Sequence, residues 1–337
     1  MTTQVTIKDI AKILGISVST VSRALKDHPD INADTKREVQ ELAKRLNYSP
    51  NTIALSLRNR KSFSIGIIIP EIVHHFFSSV ISGIEQVANQ NGYNIIIMQS
   101  NESYEREVSI AQTAMNTRID GVLISMSKTT HEYKHFQELQ KAGIPIVFFD
   151  RICGAIDTDR VVVDDFQGAY SAVEHLISTG CKRIAHLSAP QHLQIAQKRQ
   201  LGYVQALKDH HLPVEEELII ACDNQVDAKI IGKQLMEMKN RPDGIFAVND
   251  MTAAGAMYAV KRAGFRVPED VAVCGFTDGQ ISTLTDPTLT TVSQHGEEMG
   301  RVAAELLLKR VKAEDRSYPT QTKVLKTNLI IRDSTRR

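Results

Sequence analysis

An alternation of short β-rich runs with amphipathic helical patterns begins at Ser64 and continues through the rest of the chain, and no other feature restricts the fold as strongly. The runs that we interpret as strands are SIGIII (64–69), YNIIIM (93–98), GVLIS (121–125), IVFF (146–149), RIAHL (183–187), LIIA (218–221), GIFAV (244–248) and VAVCGF (271–276). Repeated βα units predict a parallel sheet with helices on both faces, where strands are apolar on both sides. These units exceed one sheet of about five or six strands, so the sequence predicts an α/β core of two doubly wound lobes. A closed barrel of parallel strands is the competing fold.

The first 48 residues follow a different pattern, that of three short helices. The first helix is predicted from Ile7 to Leu14 and ends at Gly15. SVSTVSRAL, capped by Ser17, is the second helix, and ADTKREVQELAKRL, capped by Asn32, is the third. The sequence therefore predicts a small all-α head before the α/β core.

Charge is divided unevenly between these two regions. The 337 residues include 40 Lys and Arg and 39 Asp and Glu, which gives a formal charge of +1. Residues 1–61 hold 11 basic and 6 acidic side chains, a local charge of +5, whereas residues 62–337 carry −4. A basic head and a mildly acidic body indicate that the head is the part that approaches nucleic acid.

Composition and missing motifs argue against several other classes of protein. No apolar stretch approaches the ~20 residues that span a bilayer, and the N-terminal residues lack the apolar core of a signal peptide. The four cysteines form no CxxC pair, which argues against a zinc site or a disulfide framework. No GxSxG, HExxH or Walker loop occurs. We therefore expect a cytoplasmic protein that is not an enzyme and has no cofactor or metal.

The spacing of Ala11, Gly15 and Val21 in the head is that of a helix-turn-helix. A small residue lets two helices cross closely, glycine tolerates a positive φ in the turn, and an apolar residue fixes the second helix to the core. An ordinary helical hairpin is the alternative. In a DNA-reading role, the second helix lies in the major groove, where Val18 contacts a thymine methyl and Arg23 binds guanine. The residues expected to contact bases or phosphates are Thr6, Ser17, Val18, Ser19, Thr20, Ser22, Arg23, Asn32 and Thr35.

The head and its connector resemble the lactose-repressor/galactose-repressor family of bacterial regulators. The resemblance rests on TIKDIAKILGISVSTVSRAL, TKREVQELAKRLNYSPN and IALSLRNRKS, and the core also follows that family's periplasmic-binding-protein-like organisation. It implies a hinge helix that forms on specific DNA and enters the minor groove. Leu57 would wedge between central base steps, with Asn51 and Ala54 on the same helix. A flexible linker is the alternative.

The expected domains follow from these patterns and from the resemblance. They are a helix-turn-helix domain at 1–49, a hinge at 50–61, a core N-lobe at 62–163 and 293–323, and a core C-lobe at 164–292 and 324–337. The runs VVVDD (161–165) and TVSQ (291–294) are interpreted as crossovers between the lobes.

Polar and aromatic residues follow several predicted strands, at the edge where two-lobed α/β proteins bind ligands. Carboxylates, amides and arginine bind hydroxyl groups, and aromatic rings pack on sugar faces. The candidate effector-binding residues are Phe76, Phe77, Asp150, Arg151, Arg199, Asn249, Asp250, Thr277 and Asp278. As alternatives, Asp250 caps a helix, Asp150 and Arg151 form a local ion pair, and Phe77 belongs to the core.

The family resemblance implies that Phe76, Asp150, Arg199, Asn249 and Thr277 line an effector pocket. The family often has an aspartate directly after the aromatic residue of its last core-domain strand, whereas here Thr277 intervenes before Asp278. Its purine-sensing branch has polar and basic residues where this chain has His192, Leu193 and Ile195, so a sugar or sugar derivative is favoured.

The resulting expectation is a repressor that binds a palindromic operator as a homodimer and releases it when the effector closes the cleft. By resemblance, the dimer contact is expected on helices near 77–91 and 104–117. Two other classes stay open on the sequence alone. They are a sugar-binding protein without a DNA role and a sugar-converting α/β enzyme.

Overall fold

The computed structural model describes residues 5–48, 61–313 and 319–337. The chain divides into two compact units, Met1–Ser62 and Phe63–Arg337. The described part of the first unit contains helices α1 (Ile7–Leu14), α2 (Val18–Leu25) and α3 (Ala33–Arg45). The three predicted helices are therefore confirmed.

The first unit is held together by a small apolar core in which Ile10, Val21 and Val39 are fully buried. Gly15 ends α1 with φ +64°, the left-handed conformation that the helix-turn-helix prediction requires. Ser17 caps α2 by accepting a hydrogen bond from the amide of Thr20 (3.0 Å). These local contacts fix the turn between α1 and α2.

The described strands of the second unit form two six-stranded sheets. The first sheet has the order β11-β5-β4-β3-β1-β2, with β1 (Ser64–Ile69), β2 (Asn94–Gln99), β3 (Gly121–Ile124), β4 (Ile146–Phe149), β5 (Asp159–Val163) and β11 (Thr322–Leu325). The second has the order β12-β10-β9-β8-β6-β7, with β6 (Ile184–Ser188), β7 (Ile219–Ala221), β8 (Gly244–Ala247), β9 (Ala272–Thr277), β10 (Thr290–Ser293) and β12 (Asn328–Ile330). Every pair is parallel except β10 with β12. Two doubly wound lobes are therefore confirmed, and the barrel is excluded.

Helices cover both sheets. In chain order they are α4 (His75–Gln90), α5 (Tyr104–Asn116), α6 (Lys134–Lys141), α7 (Asp165–Ser178), α8 (Gln194–Asp209), α9 (Gln225–Glu237), α10 (Asp250–Arg262), α11 (Ile281–Leu284) and α12 (Gly296–Lys312), with short 3-10 turns at Glu216–Leu218 and Asp333–Thr335. α4 and α12 cross very closely, because a Cβ on Gly83 would lie 2.0 Å from the carbonyl oxygen of Glu297, and one on Gly300 would lie 2.0 Å from that of Val80. Both positions therefore require glycine.

The two runs interpreted as crossovers are strands that lead into crossovers. Val161–Val163 belong to β5 and Thr291–Ser293 to β10, and the chain passes between lobes directly after each of them. The last crossover lies at 326–327, after the expected lobe boundary at 323/324. The reason for this difference is that Val324 and Leu325 still pair with Val162 and Val163 in the first sheet.

Candidate DNA-binding surface and effector cleft

The second helix of the head presents one face to solvent. Ser17, Val18, Ser19 and Arg23 are exposed, and Val18 keeps 42% of its surface accessible although it is apolar. Val21 on the opposite face is fully buried. Thr20 and Ser22, also predicted to contact DNA, are half-buried at the margin. The exposed face therefore combines a methyl surface, hydroxyls and a guanidinium, the groups that contact base edges in the major groove.

Two of the predicted phosphate-contacting residues, Thr6 and Asn32, are the N-caps of α1 and α3. The hydroxyl of Thr6 donates to Asp9 (2.7 Å), as does the Thr6 amide (2.8 Å), and these bonds lower the pKa of Asp9. The side chain of Asn32 accepts from the amide of Thr35 (2.8 Å). Helix N-termini present backbone N–H groups, which suit phosphate oxygens. Asn51, Ala54 and Leu57 lie outside the described residues.

Asp150 is a buried carboxylate whose hydrogen bonds to Ser125 and Gln294 are both long. It follows β4 with φ +57°, and only 6% of its surface is accessible. It accepts hydrogen bonds from the Ser125 hydroxyl at 3.5 Å and the Gln294 amide at 3.4 Å, both long for such contacts. Burial raises the pKa of Asp150, while the charges of Arg151 and Arg199 oppose this rise. A buried carboxylate held in this way is suited to accept hydrogen bonds from ligand hydroxyls.

Arg199 lies on α8 and is oriented from three sides. Its Nε donates to Asp165 (2.8 Å), its Nη1 donates to the Val248 carbonyl (2.7 Å), and its guanidinium lies 3.7 Å from the centre of the Phe276 ring. Burial raises the pKa of Asp165 to about 6, although Arg199 opposes the rise. Asp165 therefore positions Arg199, a role that its place in the run interpreted as a crossover (161–165) did not reveal.

Gln294 joins the two lobes at the crossover after β10. Its Oε1 accepts from the Thr277 hydroxyl (3.1 Å), while its Nε2 donates to Asp150. Thr277 and Asp150, which the sequence predicted as cleft residues, are thus brought together through a residue that it did not select. The signal that could have found Gln294 is its position directly after a strand, the same criterion that selected Asp150.

Asn249 holds the start of α10. Its Oδ1 accepts from the amide of Thr252 (2.9 Å), so Asn249 is the N-cap and Asp250, suggested as the cap, lies in the first turn. Its Nδ2 donates to the carbonyl of Asp223 (2.9 Å). Asn249 therefore fixes the ends of β7 and β8 relative to each other.

Four other predicted effector residues are engaged within the protein. Asp250 accepts from the amide of Gly279 (2.7 Å) and from Thr291, and burial raises its pKa to about 6. Asp278 accepts from Arg332 (2.7 Å). Phe76 and Phe77 are buried in the apolar core. These contacts favour structural roles, including the core position considered for Phe77.

Arg151 pairs with a partner other than Asp150. Its Nη1 donates to both oxygens of Glu102 in the loop after β2, at 2.7 and 2.9 Å. The local ion pair considered from the sequence is therefore replaced by a bond between two loops. Glu102 also accepts from the amide of Lys128 (2.7 Å), which fixes the loop after β3.

Two contacts close the mouth of the cleft. Lys128 Nζ in the first lobe lies 3.1 Å from an Asp223 carboxylate oxygen in the second, and the His192 Nε2 contacts the Lys128 carbonyl at 2.6 Å. We refer to Lys128, Asp223 and His192 as the clasp. Glu107 on α5 also fixes this loop, because its carboxylate accepts a hydrogen bond from the amide of Ser127 (2.7 Å).

Within residues 5–48, 61–313 and 319–337, no helix is long and apolar enough to cross a membrane. The same ranges contain no group of three or more His, Cys, Asp or Glu side chains placed to hold a metal ion.

A helix-turn-helix head and a two-lobed α/β core with polar groups in its cleft define a DNA-binding regulator of the ligand-responsive class. The head matches the model for bacterial regulatory proteins of the lacI family over residues 6–51, and residues 173–335 match a periplasmic binding protein-like domain. Catabolite control protein A of Priestia megaterium is 33% identical over 92% of this chain and 93% of that protein. The chain belongs to the lacI family and is a transcriptional regulator rather than an enzyme.

Other relatives have different names within the same class. The ribose operon repressor of Halalkalibacterium halodurans is 31% identical over 98% of this chain and 97% of that protein, and the PurR repressor of Vibrio atlanticus is 32% identical over 92% and 93%. A CelR–cellobiose complex aligns with TM-score 0.75 and 26% identity, covering 98% of this chain and 100% of that one. A lac repressor dimer bound to operator and the anti-inducer ONPF, at 24% identity and TM-score 0.86 over 98% and 99%, supports the fold.

Proposed function

We propose that this regulator is a repressor that binds a palindromic operator as a homodimer and is controlled by a sugar or sugar derivative in its cleft. It acts in the cytoplasm, on the nucleoid. The observation that carries the effector assignment is the buried, weakly partnered carboxylate of Asp150 close to the oriented guanidinium of Arg199.

The DNA-binding part of the proposal rests on the exposed face of α2. Val18, Ser19 and Arg23 read bases, while Ser17, Thr20, Ser22 and the capping groups at Thr6, Asn32 and Thr35 contact phosphates. A single head makes few base contacts, each worth about 1–3 kcal/mol. Two heads on a palindrome double this set, which is the physical reason to propose a dimer.

An exposed apolar surface on the second lobe is the proposed dimer contact. It comprises Val226 (67% exposed), Ile230 (56%), Tyr258 (53%) and Leu284 (70%), on α9, α10 and α11. Solvent-exposed apolar patches on folded domains commonly mark protein–protein contacts. We propose that the helices near 77–91 and 104–117 of the first lobe, expected from the resemblance, also belong to this contact.

A polyhydroxylated effector suits the chemistry of the cleft. Asp150 accepts hydrogen bonds, Arg199 donates them, and Thr277 can do both. Leu193 and Ile195, in the loop and first turn after β6, offer no hydrogen-bonding side chain to a purine base. The proposed effector class is therefore a sugar rather than a purine.

Linkage between the cleft and the DNA is the proposed mechanism. A sugar that closes the cleft changes the relation between the lobes and thereby the hinge at 50–61, where Asn51, Ala54 and Leu57 are proposed to contact the minor groove. We propose that sugar binding lowers operator affinity.

The experiment uses the full-length protein and two measurements. Thermal unfolding against a panel of sugars and nucleosides identifies ligands, since a ligand that binds the folded state raises its stability. Fluorescence anisotropy with an operator selected from random duplexes then reports DNA affinity. Stabilisation by a sugar and steep salt dependence of DNA binding are expected. Stabilisation by nucleosides alone would contradict the effector class.

A further inference from the structure

The C-terminal end of α2 is closed by a tight backbone turn that contains an aspartate. The amide of Asp27 donates to the carbonyl of Ala24 (3.1 Å), and the amide of His28 donates to the carbonyl of Arg23 (3.0 Å). This pair of bonds is the Schellman motif, in which the residue at the position of Asp27 is left-handed and is usually glycine. Asp27 has φ +55°. Because a left-handed φ is disfavoured for residues with a side chain, the aspartate is expected to make a contact that glycine cannot make.

Lys36 on α3 supplies that contact. Its Nζ donates to the carbonyl of Asp27 (3.2 Å) and lies 2.8 Å from Asp27 Oδ1. The hydrogen bond and the charge of Lys36 lower the pKa of Asp27. Only 19% of the Lys36 side chain is exposed, so most of it is covered by protein, and its ammonium joins α3 to the end of α2.

Apolar packing holds this end of α2 through few side chains. The helix has eight residues, of which Val21 and Ala24 are buried and Leu25 is partly buried. The connection to α3 is exposed throughout residues 26–30, so it adds no buried surface. Small buried side chains set the distance of α2 from the core of the head, but they resist rotation of the helix about its axis only weakly. The bonds from α3 to Asp27 therefore add a constraint on the orientation of α2.

The constrained turn carries Arg23. Arg23 is exposed in the last turn of α2, and its carbonyl accepts from the amides of Lys26 and His28. Its guanidinium is proposed to read a base, and a forked bond to guanine requires a fixed geometry. The orientation of this turn therefore decides which base edge Arg23 reaches.

We propose that Lys36 is a positioning residue for DNA reading, which holds Asp27 and thereby orients α2 so that the head prefers its operator over other DNA. This inference rests on the proposed base-reading role of α2 and adds a determinant of specificity that does not itself contact DNA. The competing role for a lysine in a basic head is a phosphate contact, which strengthens binding to every duplex.

Two variants that change the charge of the head in opposite directions separate these roles. Lys36→Met removes a positive charge, whereas Asp27→Gly removes a negative one. If Lys36 positions α2, both variants lower the ratio of the random-duplex Kd to the operator Kd. Lys36→Met should lower it about fivefold or more, the smallest loss expected when one base contact is misplaced. Anisotropy titrations of the full chain on both duplexes measure the ratio.

Asp27→Gly tests the contact without threatening the fold, because glycine is the usual residue at a left-handed helix end. It keeps the bond from Lys36 to the backbone carbonyl, so its fall in the ratio is expected to be smaller than that of Lys36→Met. A phosphate contact by Lys36 instead predicts that Asp27→Gly strengthens binding to both duplexes equally and leaves the ratio unchanged.

Two further variants serve as controls. Lys36→Arg keeps a cation that can donate to both oxygens of Asp27, so its ratio is expected to stay close to that of the parent. Lys44→Met makes the same substitution at an exposed position in the last turn of α3 and is expected to change both Kd values by the same factor.

The salt dependence of binding to the random duplex provides an independent readout. In Lys36→Met the slope of log Kd against log salt should equal that of the parent, whereas a slope smaller by about 0.9 for each lysine removed would assign Lys36 to a phosphate. That smaller slope, or a ratio that is unchanged or raised in Asp27→Gly, would overturn the positioning role while leaving sequence-specific binding intact. If the parent prefers no selected duplex over random DNA, the proposed operator recognition itself fails.

Discussion

The Lys128 ammonium lies 3.1 Å from the Asp223 carboxylate and joins the first lobe to the second across the cleft. Lys128 also accepts, through its carbonyl, the contact from His192. Because both interactions exist only when these two loops are close, they favour the closed arrangement of the lobes. The clasp therefore makes a contribution to ligand affinity that involves no contact with the ligand.

Removing the clasp is expected to weaken sugar binding without changing the site itself. Lys128→Met should raise the Kd for the sugar by up to about fivefold, because it removes the ion pair with Asp223 and partly exposed ion pairs contribute about 0.2–1 kcal/mol. Calorimetry measures the effect. Lys134→Met removes an exposed ion pair with Glu138 on α6 and serves as the control. A double-mutant cycle with Asp223→Asn that shows no coupling would contradict the clasp.

Arg23 provides a test of whether α2 recognises the base sequence of the DNA. Arg23→Ala should weaken binding to the selected operator by about 1–3 kcal/mol, with a smaller loss on random duplex, because a guanidinium that reads a base contributes to specificity. Anisotropy titrations on both duplexes at fixed salt give the two affinities. Arg37→Ala, an exposed arginine on α3 paired with Asp34, is the charge-matched control. Equal losses on operator and random DNA would place Arg23 on a phosphate.

The dimer surface can be tested by placing a charge on it. Ile230→Asp should yield monomers in sedimentation experiments and reduce operator affinity, because a carboxylate would be buried in an apolar contact. Leu201→Asp introduces the same charge at another exposed apolar position, on α8, and should leave the assembly unchanged. If Ile230→Asp still forms a dimer like the parent's, the dimer contact does not include the second-lobe surface.

The buried His186 predicts a pH dependence of stability. His186 is stacked between Tyr203 and Phe246 and is fully buried, which lowers its pKa to about 4. The imidazole of His186 binds a proton near pH 6.5 in the unfolded chain but only near pH 4 in the folded chain. The free energy of unfolding is therefore at its full value above pH 6.5 and falls as the pH is lowered towards 4. The full loss is about 3 kcal/mol.

The comparison that isolates this effect is between the parent and His186→Phe, followed by denaturant unfolding at pH 7 and pH 4.5. The pKa values of Asp165 and Asp250 are raised to about 6, so these two groups add stability as the pH falls, opposite to the effect of His186. Both proteins contain them, so their contributions cancel when the stability changes of the two proteins are compared. The variant should lose less stability than the parent on acidification. Parallel losses would show that His186 is not responsible.

Local chemistry made much of the fold predictable from the sequence. The Ala11, Gly15 and Val21 spacing identified the helix-turn-helix because each residue type answers a local requirement, and the φ of +64° at Gly15 meets one of them. Buried parallel strands such as Ile146–Phe149 were apolar throughout and were found with their bounds. β11 was missed because Thr322–Leu325 is an exposed edge strand without an apolar pattern.

The cleft was only partly predictable, because several of its contacts join residues far apart in the chain. Position after a strand selected Asp150, but it could not separate it from Asp250, whose oxygens are engaged by Gly279 and Thr291. The bond between Arg199 and Asp165 spans 34 positions and has no local signature. Tertiary contacts therefore decide which strand-end residues face a ligand.

The central claim is that occupation of the cleft by a sugar controls DNA binding, and operator affinity with and without sugar tests it most directly. In the parent, a saturating concentration of the tightest-binding sugar should raise the operator Kd at least fivefold, in line with coupling energies of about 1–3 kcal/mol. In Asp150→Asn the operator Kd should be the same with and without that sugar at the same concentration. An operator Kd that is unchanged or lowered in the parent, while calorimetry shows the cleft to be occupied, would contradict the account.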